Sequence, residues 1–363
     1  MPFTDRIYNF SSGPSMLPLP VLEQAAAEMV NYRGSGMSVM EMSHRSKVYI
    51  DIFDETKADL KRLMKVPDTH EIIFMQGGAT LQFSAVPLNL MARTNSADYA
   101  VTGNFSQLAM EEARKYGKVN IACSSADKNH TYIPAQGELA LSKDASYFYY
   151  CANNTIYGTE WKYVPETGEV PLVSDMSSNI LTVPVDVSKF GIIYAGVQKN
   201  MAPAGMSVVI IDKKLAGKEL PFTPKLLSYQ LMIDSDSMHN TPPCYTLYIL
   251  GLVLKWLEKQ GGVEGMCKIK SAKAKILYDA IDESKLFSGC AEKAARSDMN
   301  ITFRSTSEEL DVKFAKEAAI AGLENLKGHR IAGGLRASLY NAMPTEGVHK
   351  LVEFMREFEV KNV

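Results

Sequence analysis

The stretch Gly191-Ile-Ile-Tyr-Ala-Gly-Val-Gln-Lys-Asn200 carries the strongest fold signal in the chain. Its apolar first half predicts a short buried strand, and a second apolar run follows at Ser207–Ile211. Between them, Lys199 lies in a loop that Pro203 and Gly205 keep from becoming helical. A lone lysine is usually a solvated surface residue. Open α/β sheets, however, bind ligands in loops at the carboxyl ends of their strands, so this context favours a functional Lys199.

On both sides of this stretch, short apolar strands alternate with helical segments. The predicted strands are Glu71–Met75, Tyr99–Thr102, Val119–Cys123, Tyr147–Cys151, Leu172–Asp175, Gly191–Ala195 and Ser207–Ile211. The predicted helices are Val21–Tyr32, Val48–Lys65, a segment from Ala79, and Ser106–Tyr116. This alternation predicts an α/β fold with a mostly parallel central sheet flanked by helices.

The pattern changes after about residue 262. Predicted helices at Lys268–Asp282, Asp311–Ala321 and Glu346–Val360 alternate there with strands at Met299–Phe303 and Gly334–Ser338. A chain of 363 residues is too long for one small core. We therefore expect a large domain, 16–261, and a smaller α+β domain made of 262–363 and the N-terminal arm, 1–15. The stretch Tyr8–Pro20 is rich in Ser, Gly and Pro and should form an extended arm rather than a helix.

Composition excludes several classes of protein. The net charge of −2 leaves no basic surplus for nucleic acid. The five scattered cysteines and six separated histidines show no metal-ligand spacing. The longest apolar run, Leu247–Leu254, is too short to span a membrane. Asp5 and Arg6 stand where a secretory signal would be apolar, so we expect a cytoplasmic protein.

A lysine in a strand-end loop can condense with an aldehyde to form a Schiff base, and pyridoxal phosphate is the common aldehyde cofactor. That cofactor needs a carboxylate at its ring nitrogen, donors for its phosphate and a flat group over its ring. Asp175, at the end of the strand before Lys199, is the candidate carboxylate, although strand-end acids are often only turn formers. Phe105 is the candidate stacking ring, and its alternative is an ordinary core aromatic.

The candidate phosphate site is the glycine turn Gln76-Gly-Gly-Ala-Thr80, between a strand and a helix. Free backbone N–H groups and the positive helix end favour an anion there. A glycine pair alone is weak evidence, since many strand–helix joints contain one. The hydroxyl and amide of Asn240-Thr241 are candidates to complete the site. Gly34-Ser-Gly36 is not a dinucleotide motif, because no strand precedes it and Val39 replaces the third glycine.

Blocks spread over nearly the whole chain resemble the phosphoserine aminotransferase family, whose members are fold-type-I pyridoxal-phosphate enzymes. The blocks are Asn9-Phe-Ser-Ser-Gly-Pro14, Ser38-Val-Met-Glu-Met-Ser-His-Arg45, Ala85-Val-Pro-Leu-Asn89, Tyr194-Ala-Gly-Val-Gln-Lys-Asn200, Asn240-Thr-Pro-Pro243, Gly328-His-Arg-Ile-Ala-Gly-Gly-Leu-Arg-Ala-Ser338 and Tyr340-Asn-Ala-Met-Pro344. Their order and number make chance an implausible explanation.

The resemblance implies roles for individual residues. Lys199 matches the Schiff-base lysine and Asp175 the partner of the ring nitrogen. The other positions that match cofactor-binding residues are Ala79, Thr80, Phe105, Thr155, Gln198, Asn240 and Thr241. Asn240 and Thr241 match residues that reach the phosphate from a neighbouring subunit, which implies a homodimer with shared active sites. Phe105 stands where many members have tryptophan, and Thr80 where some have arginine.

The substrate side is implied in the same way. Arg336 matches the arginine that grips the α-carboxylate. The positions that match the binding site for the distal anion and for glutamate are Ser12, His44, Arg45, His329 and Arg330. The implied reaction is O-phospho-L-serine plus 2-oxoglutarate giving 3-phosphooxypyruvate plus L-glutamate, in L-serine biosynthesis. A phosphorylated relative of the substrate, 4-phosphohydroxy-L-threonine of pyridoxine biosynthesis, is a further candidate.

Two alternatives stay open at this point. An alanine–glyoxylate-type aminotransferase or a cysteine desulfurase would share the lysine and the fold, but an uncharged substrate would not require two His-Arg pairs. A nucleotide-binding or regulatory protein could use the glycine turn for another phosphate, and it would not bind an aldehyde at Lys199.

Overall fold

The computed structural model describes residues 6–363. Its helices are α1 Leu19–Ala27, α2 Lys47–Leu63, α3 Ala79–Leu90, α4 Asn104–Ala113, α5 Tyr229–Asp234, α6 Cys244–Lys259, α7 Gly262–Glu283, α8 Glu308–Ile320 and α9 Thr345–Asn362. Its strands are β1 Tyr8–Asn9, β2 His70–Gln76, β3 Ser96–Val101, β4 Lys118–Ser124, β5 Phe148–Cys151, β6 Asn153–Asn154, β7 Thr159–Glu160, β8 Leu172–Asp175, β9 Ile192–Gly196, β10 Met206–Asp212, β11 Ser288–Gly289, β12 Asn300–Arg304, β13 Leu323–Glu324 and β14 Leu335–Ser338.

A seven-stranded sheet in the order β2-β10-β9-β8-β5-β3-β4 forms the centre of the molecule. The pairs from β9 through β8, β5 and β3 to β4 are parallel, whereas β10 is antiparallel to both of its neighbours. Two consecutive strands can pair in parallel only if a long crossover segment, usually a helix, connects them. The loop between β9 and β10 is short and contains no helix, so β10 runs antiparallel to β9. The prediction of a mostly parallel α/β sheet is confirmed, with β10 as the reversed strand.

The two faces of the sheet are covered by different helices. Along β2, Ile72 and Phe74 point into a core with α1, α2 and α6. Ile73 and Met75 point the other way, into a core with α3, α4 and α5. Side chains alternate between the faces of a strand, and β2 is apolar on both sides because both faces are buried. This burial fixes the sheet, and the strand ends that carry Asp175 and Lys199 are fixed with it.

A third core lies in the C-terminal part of the chain. The three-stranded antiparallel sheet β11-β12-β14 packs with α7, α8 and α9 around Phe287, Phe303 and Phe314. Phe10 of the N-terminal arm is fully buried in the same core, and β1 pairs in parallel with β13. The arm therefore packs with the C-terminal part of the chain rather than with the helix that follows it.

The start of α4 differs from the sequence prediction. The helix begins at Asn104 rather than at Ser106, because the Ser106 hydroxyl accepts hydrogen bonds from the backbone N–H groups of Thr102 and Gly103, both at 3.1 Å. Ser106 is thus a residue of the first helical turn that satisfies the donors preceding it. As a consequence, Phe105 lies inside the first turn of α4 and not in the loop before it.

Candidate active site

Lys199 lies in the turn that follows β9, partly buried and beside the ring of Phe105. Its Nζ is 5.5 Å from the centre of that ring. Burial lowers the pKa of Lys199 below its usual value, and the positive charge of Arg336 acts in the same direction. The charge of Asp175 and the thiol of Cys151 oppose this effect. A larger share of neutral amine follows from the net lowering, and neutral amine is the form that attacks a carbonyl carbon.

Asp175 is buried at the end of β8, the strand next to β9. Its Oδ1 accepts two hydrogen bonds from Ser177, one from the backbone N–H at 2.9 Å and one from the hydroxyl at 2.6 Å. The Ser177 hydroxyl in turn accepts from the N–H of Gly196 at 3.0 Å. Within residues 6–363, Oδ2 of Asp175 makes no hydrogen bond. One oxygen is therefore held in place, while the other can accept a proton donor from a ligand.

The glycine turn brings the N-terminus of α3 to the end of β9. Gly77 adopts a φ of +87°, a conformation that favours glycine. Gly78 occupies the N-cap position, where no side chain caps the helix. A Cβ on Gly196 would stand 3.2 Å from both the N and the Cβ of Ala79. The first backbone N–H groups of α3 thus lie close to the strand that leads to Lys199, while the side chain of Thr80 is exposed.

Gln198 and Thr155 lie on either side of this centre. The side-chain oxygen of Gln198 is buried and has no hydrogen-bond partner in the described part of the chain. Such an atom is costly to leave unpaired, which suggests that a ligand supplies its partner. Thr155 is buried just after β6, and its carbonyl accepts a hydrogen bond from Nη1 of Arg336 at 3.0 Å.

Arg336 faces a cleft between the central sheet and the C-terminal part of the chain. A cavity of about 670 Å³ lies there, between the loops of His130 and Tyr157 on one side and β12 and β14 on the other. Arg304 also lines it, and none of the described residues that line it is acidic. Burial lowers the pKa of Arg336, and the side chain of Tyr340 opposes this effect. The cleft therefore offers positive charge to an anionic ligand.

His329 and Arg330 lie close to Arg336 in the loop before β14. Burial lowers the pKa of His329, and the charges of Arg336 and Arg330 lower it further. His329 is half-buried and Arg330 is exposed. His329, Arg330 and Arg336 are therefore near enough to one another for their charges to interact.

The N-terminal arm covers Lys199, which sequence reasoning did not predict. Ser15 donates its backbone N–H to the carbonyl of Gln198 at 3.0 Å and its hydroxyl to the carbonyl of Lys199. Gly13 packs directly against the Lys199 side chain, since a Cβ added at Gly13 would be only 3.3 Å from Cγ of Lys199. Ser12 is held by its carbonyl, which accepts from the Tyr340 hydroxyl at 2.8 Å. The sequence blocks 9–14 and 194–200 both resemble the family, but neither block indicates that the two segments are in contact.

Four of the predicted residues are not brought to Lys199 within the described chain. His44 and Arg45 precede α2, where Arg45 is exposed and its backbone N–H bonds to Ser43. Asn240 and Thr241 precede α6, and the Thr241 carbonyl accepts from the side chain of Gln76 at the end of the edge strand β2. Thr241 thus contacts the first residue of the glycine turn, but within the described part of the chain none of the four makes a hydrogen bond or ion pair with Lys199, Asp175 or Arg336.

Sequence reasoning also missed Ser177, which orients Asp175. The spacing of an acid and a serine two residues later was a usable signal, since such pairs commonly form side-chain turns. In residues 6–363, no three His, Cys, Asp or Glu side chains are grouped as metal ligands. None of the described helices has the length and apolar character that crossing a membrane requires.

With this geometry in view, comparison with known proteins defines the class. The family model described as Aminotransferase class-V matches residues 7–351, and the chain belongs to that family. Along its whole length it is similar to phosphoserine aminotransferases within that family. The one from Janthinobacterium sp. (strain Marseille) is 49% identical over 359 residues, which cover 98% of this chain and 99% of the relative.

Solved structures agree. The phosphoserine aminotransferase of Bacillus circulans subsp. alkalophilus superposes with a TM-score of 0.97 at 43% identity, covering 99% of this chain and 100% of its own. A pyridoxal-phosphate-bound phosphoserine aminotransferase from Trichomonas vaginalis gives 0.93 at 41%, covering 97% and 100%. The family resemblance and the fold predicted from the sequence are confirmed.

Proposed function

We propose that this chain is a pyridoxal-phosphate-dependent phosphoserine aminotransferase. It transfers the amino group of O-phospho-L-serine to 2-oxoglutarate, giving 3-phosphooxypyruvate and L-glutamate, and the reaction is reversible. Full-length similarity to enzymes of that name supports the substrate pair and a place in L-serine biosynthesis. The observation that carries the chemistry is the position of Lys199, which is partly buried in the turn after β9, beside the Phe105 ring and within reach of the charges of Asp175 and Arg336.

The residues around Lys199 fit the cofactor. When bound, pyridoxal phosphate supplies the aldehyde that takes up the amino group and the ring that accepts the substrate's electrons. Asp175 would hold the ring nitrogen with Oδ2, and Phe105 would lie against the ring. The first turn of α3, with Ala79 and Thr80, would bind the phosphate. The unpaired oxygen of Gln198 and the hydroxyl of Thr155 would contact the polar groups that remain.

Lys199 would carry the proton. The lowered pKa leaves a larger share of the amine neutral, so Lys199 would take a proton from the substrate α-carbon and deliver it to the cofactor carbon that bears the transferred nitrogen. The N-terminal arm packs against its methylene chain, so water has restricted access to this side chain. Arg336 would hold the α-carboxylate through its two-pronged guanidinium group.

The second anion of each substrate would be bound by a cationic cluster. We assign to it His44, Arg45, His329 and Arg330, with Ser12 and Arg45 also serving glutamate. Phosphoserine and glutamate both end in a second anionic group, so one set of cations serves both half-reactions. The position of His329 and Arg330 close to Arg336, whose cavity has no acidic residue among the described lining residues, supports this assignment.

We further propose a homodimer in which Asn240, Thr241, His44 and Arg45 of one subunit complete the site of the other. This accounts for their lack of contact with Lys199 within one described chain. We also propose the domain division into 16–261 and 1–15 with 262–363, which is supported by the separate core that contains Phe10. The active site would then lie between the domains. The cytoplasmic location stays a prediction.

The test is a panel of amino donors assayed with 2-oxoglutarate. Phosphoserine should be the best donor, alanine and cysteine should be poor, and 4-phosphohydroxy-L-threonine measures the breadth of specificity. Replacing Lys199 by Ala should abolish transamination while the circular dichroism spectrum is kept. Lys218→Ala, at an exposed lysine, is the matched control and should retain full activity. Full turnover by Lys199→Ala, or equal use of alanine and phosphoserine, would refute the proposal.

A further inference from the structure

Lys273 is a fully buried lysine of α7 without an acidic partner. Its Nζ donates to the backbone carbonyls of Tyr340 at 2.9 Å and Met343 at 2.8 Å. It makes no ion pair within residues 6–363. Burial lowers the pKa of Lys273 to about 7. An apolar side chain would avoid the cost of burying an amine, so the two hydrogen bonds must provide what this position requires.

The two carbonyls lie at the two ends of one tight turn, residues 340–343. The N–H of Met343 also donates to the carbonyl of Tyr340 at 3.0 Å, which closes the turn. A single nitrogen that binds both ends limits how far the turn can open. Lys273 therefore clamps the 340–343 turn to α7.

The clamped turn contacts the loop of Lys199 from behind. The backbone N–H of Asn341 donates to Oδ1 of Asn200, the residue after Lys199, at 3.1 Å. The side-chain amide of Asn341 donates to the carbonyl of Leu181 at 3.1 Å. Leu181 has a φ of +61°, a costly conformation for leucine that this contact helps to hold.

The same turn also holds the arm in front of Lys199. The hydroxyl of Tyr340 donates to the carbonyl of Ser12 at 2.8 Å. Beyond Ser12 the arm crosses Lys199, with Gly13 against its methylene chain and Ser15 bonded to the neighbouring carbonyls. One turn thus contacts both the loop that carries the reacting lysine and the arm that packs on that lysine.

We propose that Lys273 is a positioning residue for Lys199, which fixes the 340–343 turn and, through it, both the lysine loop and the N-terminal arm. The inference rests on the proposed function, because it takes Lys199 as the reacting lysine. If Lys273 only stabilised the C-terminal part of the chain, its loss would change stability without a specific effect at Lys199.

The test compares Lys273→Met with Lys270→Met. Lys270 lies on the same helix one turn earlier and is also buried, but it pairs with Asp298 at 3.1 Å instead of binding the turn. In cofactor-free protein, we expect Lys273→Met to speed amide hydrogen exchange in residues 340–343 and also in 12–16 and 197–202. Lys270→Met should leave the exchange of 12–16 and 197–202 as in the wild type.

With the cofactor bound, Lys273→Met should lower kcat for phosphoserine by about 10- to 100-fold, because a small misplacement of a reacting group has an effect of this size. KM should change less, and the pH at which the visible absorption of the cofactor changes should shift. Lys273→Gln keeps two N–H donors without a charge and should restore part of the exchange protection. It also replaces Lys273→Met if that variant does not fold.

Wild-type exchange at 12–16 and 197–202 in Lys273→Met, together with unchanged kcat, would overturn the inference. So would the same losses in Lys270→Met. If the wild-type protein does not transaminate phosphoserine, the proposed function fails, while the exchange experiment still tests the clamp because it needs no cofactor.

Discussion

At Lys199, nearby charges act on the pKa in opposite directions. Burial and the charge of Arg336 lower the pKa, whereas the carboxylate of Asp175 raises it by favouring the ammonium form. Asp175 thus has two effects at once. It would keep the cofactor ring able to accept electrons, and it moderates the loss of the lysine's proton.

Replacing Asp175 by Asn should therefore lower the pKa of Lys199 further. The neutral amine would persist to lower pH, so the pH midpoint for its reaction with pyridoxal phosphate should move downward. The measurement is borohydride trapping of cofactor-free protein over a pH series, with the modified Lys199 peptide quantified by mass spectrometry. Transamination itself should fall sharply, since the ring nitrogen loses its ionised partner.

Asp186→Asn provides the matched control for this experiment. Asp186 is an exposed carboxylate whose Oδ1 accepts hydrogen bonds from Ser188, and it makes none with the residues of the site. Its substitution should leave the trapping midpoint unchanged. A midpoint for Asp175→Asn that stays in place or rises would contradict the assigned charge effect.

The close approach of α3 to β9 is the feature of the secondary-structure elements that matters most for the cofactor. Gly196 allows it, because a methyl group there would stand 3.2 Å from the backbone N of Ala79. In Gly196→Ala the methyl group would also lie 2.8 Å from Oε1 of Gln198. The substitution should therefore displace that side chain and push the first turn of α3 outward by overpacking, at a cost of about 1–3 kcal/mol. If that turn binds the phosphate, the cofactor dissociation constant should rise by about 10- to 100-fold.

An absorbance titration of cofactor-free protein measures this constant, and the melting temperature measures the loss of stability separately. Gly137→Ala is the control, since a Cβ there meets no atom within 4 Å. Unchanged cofactor affinity in Gly196→Ala would show that the phosphate does not depend on this helix end.

The predicted bounds of helices and strands are correct where all residues of the element are buried. They differ from the observed bounds where a residue makes a contact that the sequence pattern does not show. β8 was predicted with its observed bounds, Leu172–Asp175, because its four residues are all buried. α1 was predicted to reach Tyr32 but ends at Ala27. Val30 lies within the predicted range, yet its apolar side chain is 78% exposed. Tyr32 instead packs edge-on against Tyr248, a contact that periodicity does not reveal.

At the scale of the whole molecule, the sequence identified residues but not how distant segments meet. Lys199 and Asp175 were predictable because both lie at ends of neighbouring strands, a consequence of sheet topology. The bond between Tyr340 and Ser12 joins positions 328 residues apart. No local pattern contains such a contact, since it arises only when the arm packs on the C-terminal core. The hydrogen bonds of Lys273 to the 340–343 turn could not be predicted either, because they also join segments that are distant in the sequence.

The proposed shared site makes a prediction that only the complete dimer can test. Arg45 would serve the Lys199 of the partner, so a heterodimer of Lys199→Ala with Arg45→Ala contains one intact site and one doubly altered site. It should show about half the activity of the wild-type dimer, although each parent homodimer is nearly inactive. Two affinity tags allow the heterodimer to be purified and assayed.

Pairing Lys199→Ala with Arg336→Gln is the contrasting case. Arg336 donates to the Thr155 carbonyl of its own chain and its charge acts on Lys199 of that chain, so both belong to one site. In this heterodimer one site lacks Lys199 and the other lacks Arg336, so the heterodimer should stay inactive. If the heterodimer of Lys199→Ala with Arg45→Ala has no activity, Arg45 does not serve the site of the partner subunit. If the heterodimer of Lys199→Ala with Arg336→Gln is active, Arg336 does not belong to the site of its own chain. Either result would contradict the proposed division of the active site between subunits.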